Sequence, residues 1–420
     1  MTYTTTHKKF PQAITLSPDN KSISLLIKGQ GVFIFNNNDK PCCFFVYNQS
    51  TNDGYKVELT QNKVTVSRMS DGATYVDSKN NSGLVNNGGA YYWFSLDAQN
   101  QTLRVGVGEA RVETIIYSYT FLFTSNDDRK SNKLFMESLQ TIHLPDATVQ
   151  PLKLLRDPVT RKISPLVKMT NTLTMDDVAS GKYLPKANLS LEAQQLHDCI
   201  AGANFKLDSD DFPEFTQAIE YSIKTPGLWC NKRLQEKSTE FNKTKPNLLE
   251  TYLRITLGEN NGESPGIPYV MEIWPVGHYS PIHNHSGANA VIRVLNGEIN
   301  VSQYPYLSTG ETEAGGVKPF AVANFNKDQI TWISQTLNQT HKLENLPNNA
   351  YTCITIQCYL YENKDNAHYD YFDYIDDAGK KQQYEPDSDM DFVAFKQLIK
   401  QEWANRNKPK WTLRSLFCLP

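Results

Sequence analysis

The 420-residue sequence contains no long apolar run; nothing in it approaches the ~20 consecutive apolar residues that a membrane-spanning helix needs. The amino-terminal stretch Met1-Thr2-Tyr3-Thr4-Thr5-Thr6-His7-Lys8-Lys9 also lacks the apolar core of a secretory signal. Charge of one sign is missing as well. With 42 Lys and Arg against 45 Asp and Glu, the formal net charge is −3, which gives no overall pull toward nucleic acid or anionic membrane. Cysteine is sparse and unpatterned: seven residues, an odd number, with no CxxC pair. Cys42 and Cys43 are adjacent and cannot clip a loop in ordinary disulfide geometry. These absences predict buried, reduced thiols in a cytoplasmic protein. What is present is 39% hydrophobic and 11% aromatic residues, a composition that folds, in a chain long enough for two or three domains.

The first 145 residues read as short strands. Gly31-Val32-Phe33-Ile34-Phe35, Cys43-Phe44-Phe45-Val46-Tyr47, Tyr55-Lys56-Val57-Glu58-Leu59 and Lys63-Val64-Thr65-Val66-Ser67 are β-rich runs, separated by turn signals such as Asn36-Asn37-Asn38-Asp39 and Asn52-Asp53-Gly54. Tyr91–Leu96 and Leu103–Gly108 follow. That spacing predicts a β-sandwich over residues 1–145. The run Trp93-Phe94-Ser95-Leu96-Asp97, then Leu103-Arg104-Val105-Gly106-Val107-Gly108-Glu109, resembles the lectin-like sandwich domains named after farnesoic acid O-methyltransferase, over about thirty residues. The resemblance implies a binding domain, whose ligand it does not name.

Residues 146–189 turn to Pro, Lys and Thr with little periodicity and read as a linker. Helices are expected from Ser190, which can cap Leu191–Leu196, from the region Asp211-Phe212-Pro213-Glu214-Phe215, and between Leu228 and Phe241. Strands return from Leu249 to about Glu362. Phe392, Phe395, Leu398, Ile399 and Trp403 recur at helical spacing and predict a helix packed on the preceding strands.

The segment richest in chemistry runs from Trp274 to His285, Trp-Pro-Val-Gly-His-Tyr-Ser-Pro-Ile-His-Asn-His, and on to Leu295-Asn296-Gly297. On a strand, residues two apart share a face, so His283 and His285 aim together. Gly277 and Gly297 stand where the chain can turn sharply. Two imidazoles seldom hold a metal alone, and His341 is available as a third ligand. Imidazole suits Fe, Zn, Cu and Ni, so residue type leaves the metal open. His278 reads as a supporting residue; His368 and Cys353 read as core or surface. Strand parity sets Cys358 on the opposite face from Tyr359 and Tyr361.

Gly277, five intervening residues, His283-x-His285 and then Gly297 resembles the first cupin motif. Trp274–His285 is similar over its whole length to the metal-binding strand of cysteine dioxygenase. His341-Lys342-Leu343-Glu344-Asn345 resembles that family's "HRVEN", Tyr252-Leu253-Arg254 its "YTR", and Tyr359-Leu360-Tyr361 its "HLY". The resemblance spans about residues 190–375. It implies a cupin (jelly-roll) barrel with flanking helices over 190–420, in a chain that is mainly β. It implies Fe(2+) held by His283, His285 and His341. The substrate would lie against Arg254, Tyr252 and Tyr359, with Arg254 receiving its carboxylate and Tyr361 acting as the catalytic tyrosine. The activity implied is a dioxygenase that converts L-cysteine and O₂ to the sulfinate. Two positions depart from the family. Ala290 stands where animal enzymes carry a cysteine cross-linked to the tyrosine, and Tyr359 replaces a histidine. The cupin carboxylate ligand is also absent, its places being held by Asn289 and Ala290, which argues against a zinc cupin of the phosphomannose isomerase kind. The alternatives are a dioxygenase for another small thiol, 3-mercaptopropionate or cysteamine, and a non-catalytic metal-binding cupin joined to a ligand-binding sandwich. No nucleic acid or membrane partner is expected.

Overall fold

The computed structural model describes residues 13–77, 81–84, 90–145, 147–159, 166–242, 245–258, 262, 267–285, 287–304, 307, 319, 321–334, 340–361 and 372–407. The chain is mainly β. Two six-stranded sheets make the amino-terminal part. One runs in the order Ala13–Thr15, Gln150–Leu155, Gln30–Asn36, Tyr92–Asp97, Thr102–Val107, Ile115–Thr120; the other Ser22–Ser24, Thr141–His143, Cys42–Asn48, Asp53–Leu59, Val64–Arg68, Thr74–Tyr75. Pairing is antiparallel throughout, which lets one face of each sheet be apolar and the other polar. Alternation puts Phe44 and Val46 of one sheet inward to meet Phe33, Phe35 and Phe94 of the other. The Phe44 ring meets those three edge-on at 5.5, 5.3 and 5.6 Å, the favoured aromatic geometry. All six strands expected from sequence are present within a residue or two.

The strands Ala13–Thr15, Ser22–Ser24, Thr74–Tyr75, Ile115–Thr120 and Thr141–His143 were not expected, nor was one helix. Helix α1, Asn126–Ser138, follows the last strand of the first sheet. Its Ser125 N-cap accepts from the Asp128 amide at 3.1 Å, and Asp127 and Asp128 complement the positive end of the helix.

The expected linker divides between the two halves of the chain. Gln150–Leu155 completes the first sandwich sheet, whereas Leu166–Lys168 and Tyr183–Pro185, with α2 (Met175–Ser180) between them, join the carboxy-terminal sheet. Short three-residue pairings need little sequence periodicity, which explains why composition alone suggested a linker.

The carboxy-terminal part is a jelly-roll arrangement of two packed layers. An eight-stranded sheet runs Tyr183–Pro185, Leu166–Lys168, Ile330–Ile333, Asn289–Asn296, Cys353–Leu360, Tyr269–Trp274, Leu253–Leu257, Met390–Asp391. Against it lie Ala321–Asn326, Glu298–Tyr304 and Thr340–Glu344, and the pair Phe372–Ile375 and Lys381–Tyr384. Among the described residues the sheets keep free edges, so the layers face each other without closing into the expected barrel. Trp274 and Cys353 of one layer pack with Val301, Phe325 and Leu343 of the other.

The outer face of the large sheet carries α3 (Leu191–Ile200), α4 (Phe215–Lys224), α5 (Trp229–Glu236) and α6 (Phe392–Ala404). Ser190 caps α3 as expected, accepting from the Ala193 amide at 3.3 Å. Helix α4 begins at Phe215, within the region expected, and Asp208 satisfies its first turn, accepting from the Thr216 amide at 2.8 Å. Phe395 and Ile399 of α6 are fully buried beside Phe215. Strand alternation then sorts the sheet. Leu253, Ile255, Met271, Ile273, Ile356 and Cys358 face the helices, leaving Arg254, Glu272, Gln357 and Tyr359 to face inward. No described helix is long and apolar enough to cross a membrane.

Candidate metal centre

Trp274 ends a strand, and the segment after it is extended but irregular. His283 and His285 therefore do not lie on a regular strand, as expected, but on a stretch held by isolated bridges from His283 to His341 and to Tyr374. His341 lies within a strand, Thr340–Glu344. His283 and His341 exchange both backbone hydrogen bonds, each 3.0 Å, so their side chains leave the ladder on one face. His285, two residues on, returns to that face. Ring centroids are 4.9 Å apart for His283 and His285, 4.8 Å for His283 and His341, and 4.6 Å for His285 and His341. Gly297 ends the following strand at φ 67°, where a Cβ would meet the Thr352 carbonyl at 2.8 Å, so only glycine turns the chain there.

The donor set fits a metal. The three residues offer ligand atoms within 4.8 Å of one another. His283 Nδ1 lies 3.0 Å from the Pro281 carbonyl, which fixes that nitrogen as the N–H and leaves Nε2 with its lone pair. His341 Nε2 is buried without a hydrogen-bond partner, as expected of an atom whose partner is a metal. Burial lowers the His283 pKa to about 4, opposed by the Pro281 carbonyl and aided by the Arg254 charge. Burial, then the neighbouring His285 and His283, push His341 well below the ordinary imidazole range. Both rings are neutral at neutral pH, the form that ligates.

These rings line one wall of a cavity of no more than about 250 Å³, completed by Tyr252, Arg254, Glu272, Trp274, Leu343, Gln357, Tyr359 and Phe372. Trp274 and Tyr252 stack at 4.1 Å, and Phe372 lies 4.9 Å from the His285 ring. Arg254 is not an isolated cation. Its Nη1 donates to Glu272 Oε1 at 2.6 Å, Gln357 donates to the other Glu272 oxygen, and the Tyr359 hydroxyl donates to Gln357 Oε1 at 2.5 Å. Burial works against the Arg254 charge, yet Glu272 together with Tyr359, Tyr252 and Tyr384 more than offsets it and the pKa stands above the usual value. Burial likewise raises Glu272, opposed by Arg254 and Gln357. The 2.6 Å contact is that of an ion pair. Arg254 Nε remains buried with no partner.

All the expected site residues except Tyr361 are brought together here. Tyr361 lies past the end of its strand, Cys353–Leu360, and is not among the residues lining the cavity. The tyrosine opposite Ala290 is Tyr359, because the register pairs those two residues. His278 Nδ1 lies 2.9 Å from the Thr251 carbonyl and serves the fold, and Cys358 faces the helices. His368 falls outside the described residues. Sequence reasoning missed Glu272, Gln357 and Phe372. The polar Glu272 inside the apolar strand Tyr269–Trp274 was the available signal.

No protein-family model matches the chain. Among solved structures it is similar to a cupin superfamily protein from Desulfitobacterium hafniense (9% identity, covering 27% of this chain and 79% of that one, TM-score 0.19). It is also similar to an oxalate oxidase in complex with glycolate (17% identity, 29% and 56%, TM-score 0.21) and to the DMSP lyase DddQ from Ruegeria pomeroyi (13% identity, 27% and 47%, TM-score 0.19). The chain spans about half the length of that oxidase and that lyase. The likeness is one of fold alone. Between the facing sheets, the three-histidine group could hold a metal ion.

Proposed function

We propose that the three-histidine group is the ferrous centre of a small-thiol dioxygenase, converting R–SH and O₂ to the sulfinate R–SO₂H. The balance is complete within those reactants. The O–O bond breaks, two S–O bonds form, the sulfur loses four electrons to oxygen, and the product is a sulfinic acid, a defined rung of thiol oxidation. The observation that supports this best is the neutrality of the donor set. The cavity's carboxylate, Glu272, is held by Arg254 and Gln357, so three uncharged imidazoles stand alone. His283, His285 and His341 would hold Fe²⁺ with its positive charge uncancelled, and the metal would supply a site favouring an anionic thiolate and O₂.

The chain's own residues do the rest. Trp274, Leu343 and Phe372 line the cavity with apolar surface that would keep water from the thiol. Tyr359, which lines the cavity and donates its hydroxyl to Gln357, is our candidate for the role expected of Tyr361, turning that proton toward the substrate. Arg254 meets the far end of the substrate through its unpartnered Nε edge.

L-Cysteine is the substrate that the Arg254 motif suggests. The Glu272 pairing favours a second reading, cysteamine, because a substrate carboxylate would have to approach a guanidinium already neutralised. The test is incubation of Fe(2+)-loaded protein in air with L-cysteine, cysteamine and 3-mercaptopropionate, with products read by mass spectrometry. A gain of two oxygens on one of the three is expected. No product from any of them, with iron still bound, would leave the centre structural and overturn the enzyme reading.

A further inference from the structure

Helix α1 belongs to the sandwich in sequence, yet one face of it touches the other half of the molecule. Met136 is buried in the sandwich core, and Asn132 donates to Gln101 Oε1 at 2.8 Å. Arg129, Lys133 and Glu137, four residues apart, form a single stripe on another face. Lys133 Nζ donates to Asp373 Oδ2 at 2.6 Å, with both side chains buried. Glu137 accepts from Lys381 Nζ at 3.0 Å. Arg129 lies so close to Gly287 that a Cβ there would run into its guanidinium.

The elements these residues meet are those that carry the metal ligands. Asp373 is joined to Asn284, the residue between His283 and His285, by three hydrogen bonds: Asn284 N to the Asp373 carbonyl at 2.9 Å, Asp373 N to Asn284 Oδ1 at 3.0 Å, and Asn284 Nδ2 to Asp373 Oδ2 at 3.3 Å. Strand alternation turns Phe372 onto the His285 ring and Asp373 away from it, toward Lys133. Gly287 lies two residues past His285. The irregular ligand segment has few ladder bonds of its own, so its conformation depends on what packs behind it.

We propose that Lys133 of the sandwich is a positioning residue for the metal centre, acting through Asp373 and Asn284 to fix His283 and His285. The amino-terminal domain is then a structural part of the metal site. This rests on the three histidines as ligands and not on thiol chemistry. Loss of partners behind ligating residues commonly weakens metal binding by 10–100-fold.

The test is Co²⁺ binding by the full chain, measured by chelator competition together with the visible ligand-field spectrum, for wild type, Lys133→Met and Lys133→Arg. Lys133→Met should bind at least tenfold more weakly with altered bands, and Lys133→Arg, which keeps the charge, should recover most of both. Wild-type affinity and spectrum in Lys133→Met would overturn the proposal. If Lys133→Met does not fold, the double variant Arg129→Ala/Glu137→Gln carries the test: weakened Co²⁺ binding supports the proposal, and unchanged binding overturns it.

Discussion

Arg254 and Glu272 stand directly opposite each other on neighbouring strands, the guanidinium 2.6 Å from the carboxylate, and both are almost inaccessible to water. Removing one partner of such a pair leaves a bare buried charge, whereas removing both does not. Arg254→Met and Glu272→Met should each destabilise the protein by about 3–5 kcal/mol in denaturant titration. The double variant should cost no more than either single change. Additive losses would mean that the two side chains do not form the pair described.

The same relationship bears on substrate choice. In Glu272→Gln the guanidinium regains an uncancelled charge, so kcat/KM for L-cysteine relative to cysteamine should rise by about tenfold, the equivalent of ~1.4 kcal/mol. Steady-state oxygen consumption with both thiols reads this directly. An unchanged ratio would remove Arg254 from substrate recognition.

Tyr359 lines the cavity and Tyr361 does not. Tyr359→Phe should lower kcat by about 10²-fold, the usual scale for losing a positioned proton donor, while Tyr361→Phe leaves it within about twofold of wild type. The reverse pattern would restore the role that the sequence motif assigned to Tyr361.

His341→Ala should abolish iron retention, measured by metal analysis after gel filtration. Saturating metal at about 1,000 times Kd adds ~4 kcal/mol to a folded state that alone binds it. Chelation should therefore lower the melting temperature of the wild type by on the order of 10 °C and leave that of His341→Ala unmoved.

Much of this was legible in the sequence. Period-2 runs such as Cys43–Tyr47 located the sandwich strands, and the spacing of Phe392, Phe395 and Ile399 located the last helix. The histidines were legible because three ligands of one type in a recognisable motif leave few other uses for them. Helix α1 was not, because its inward face contributes little beyond Phe135 and Met136, and its other stripe, Arg129, Lys133 and Glu137, is charged and finds its partners more than 150 residues away in the chain. Glu272 was missed for a related reason. A motif names the residues that a family shares, whereas the partner of Arg254 is set by cross-strand register, which the sequence does not print. Tyr361 was assigned by the likeness of Tyr359-Leu360-Tyr361 to a family motif, which does not show that the strand ends at Leu360.

The central claim is that O₂ supplies both oxygens of a sulfinate made at the three-histidine centre. Turnover of the preferred thiol under ¹⁸O₂ in ordinary water tests it most directly. The account predicts a sulfinate carrying two labelled oxygens, lost in His341→Ala. A product labelled from water instead, or no sulfinate from protein that retains its iron, would contradict it.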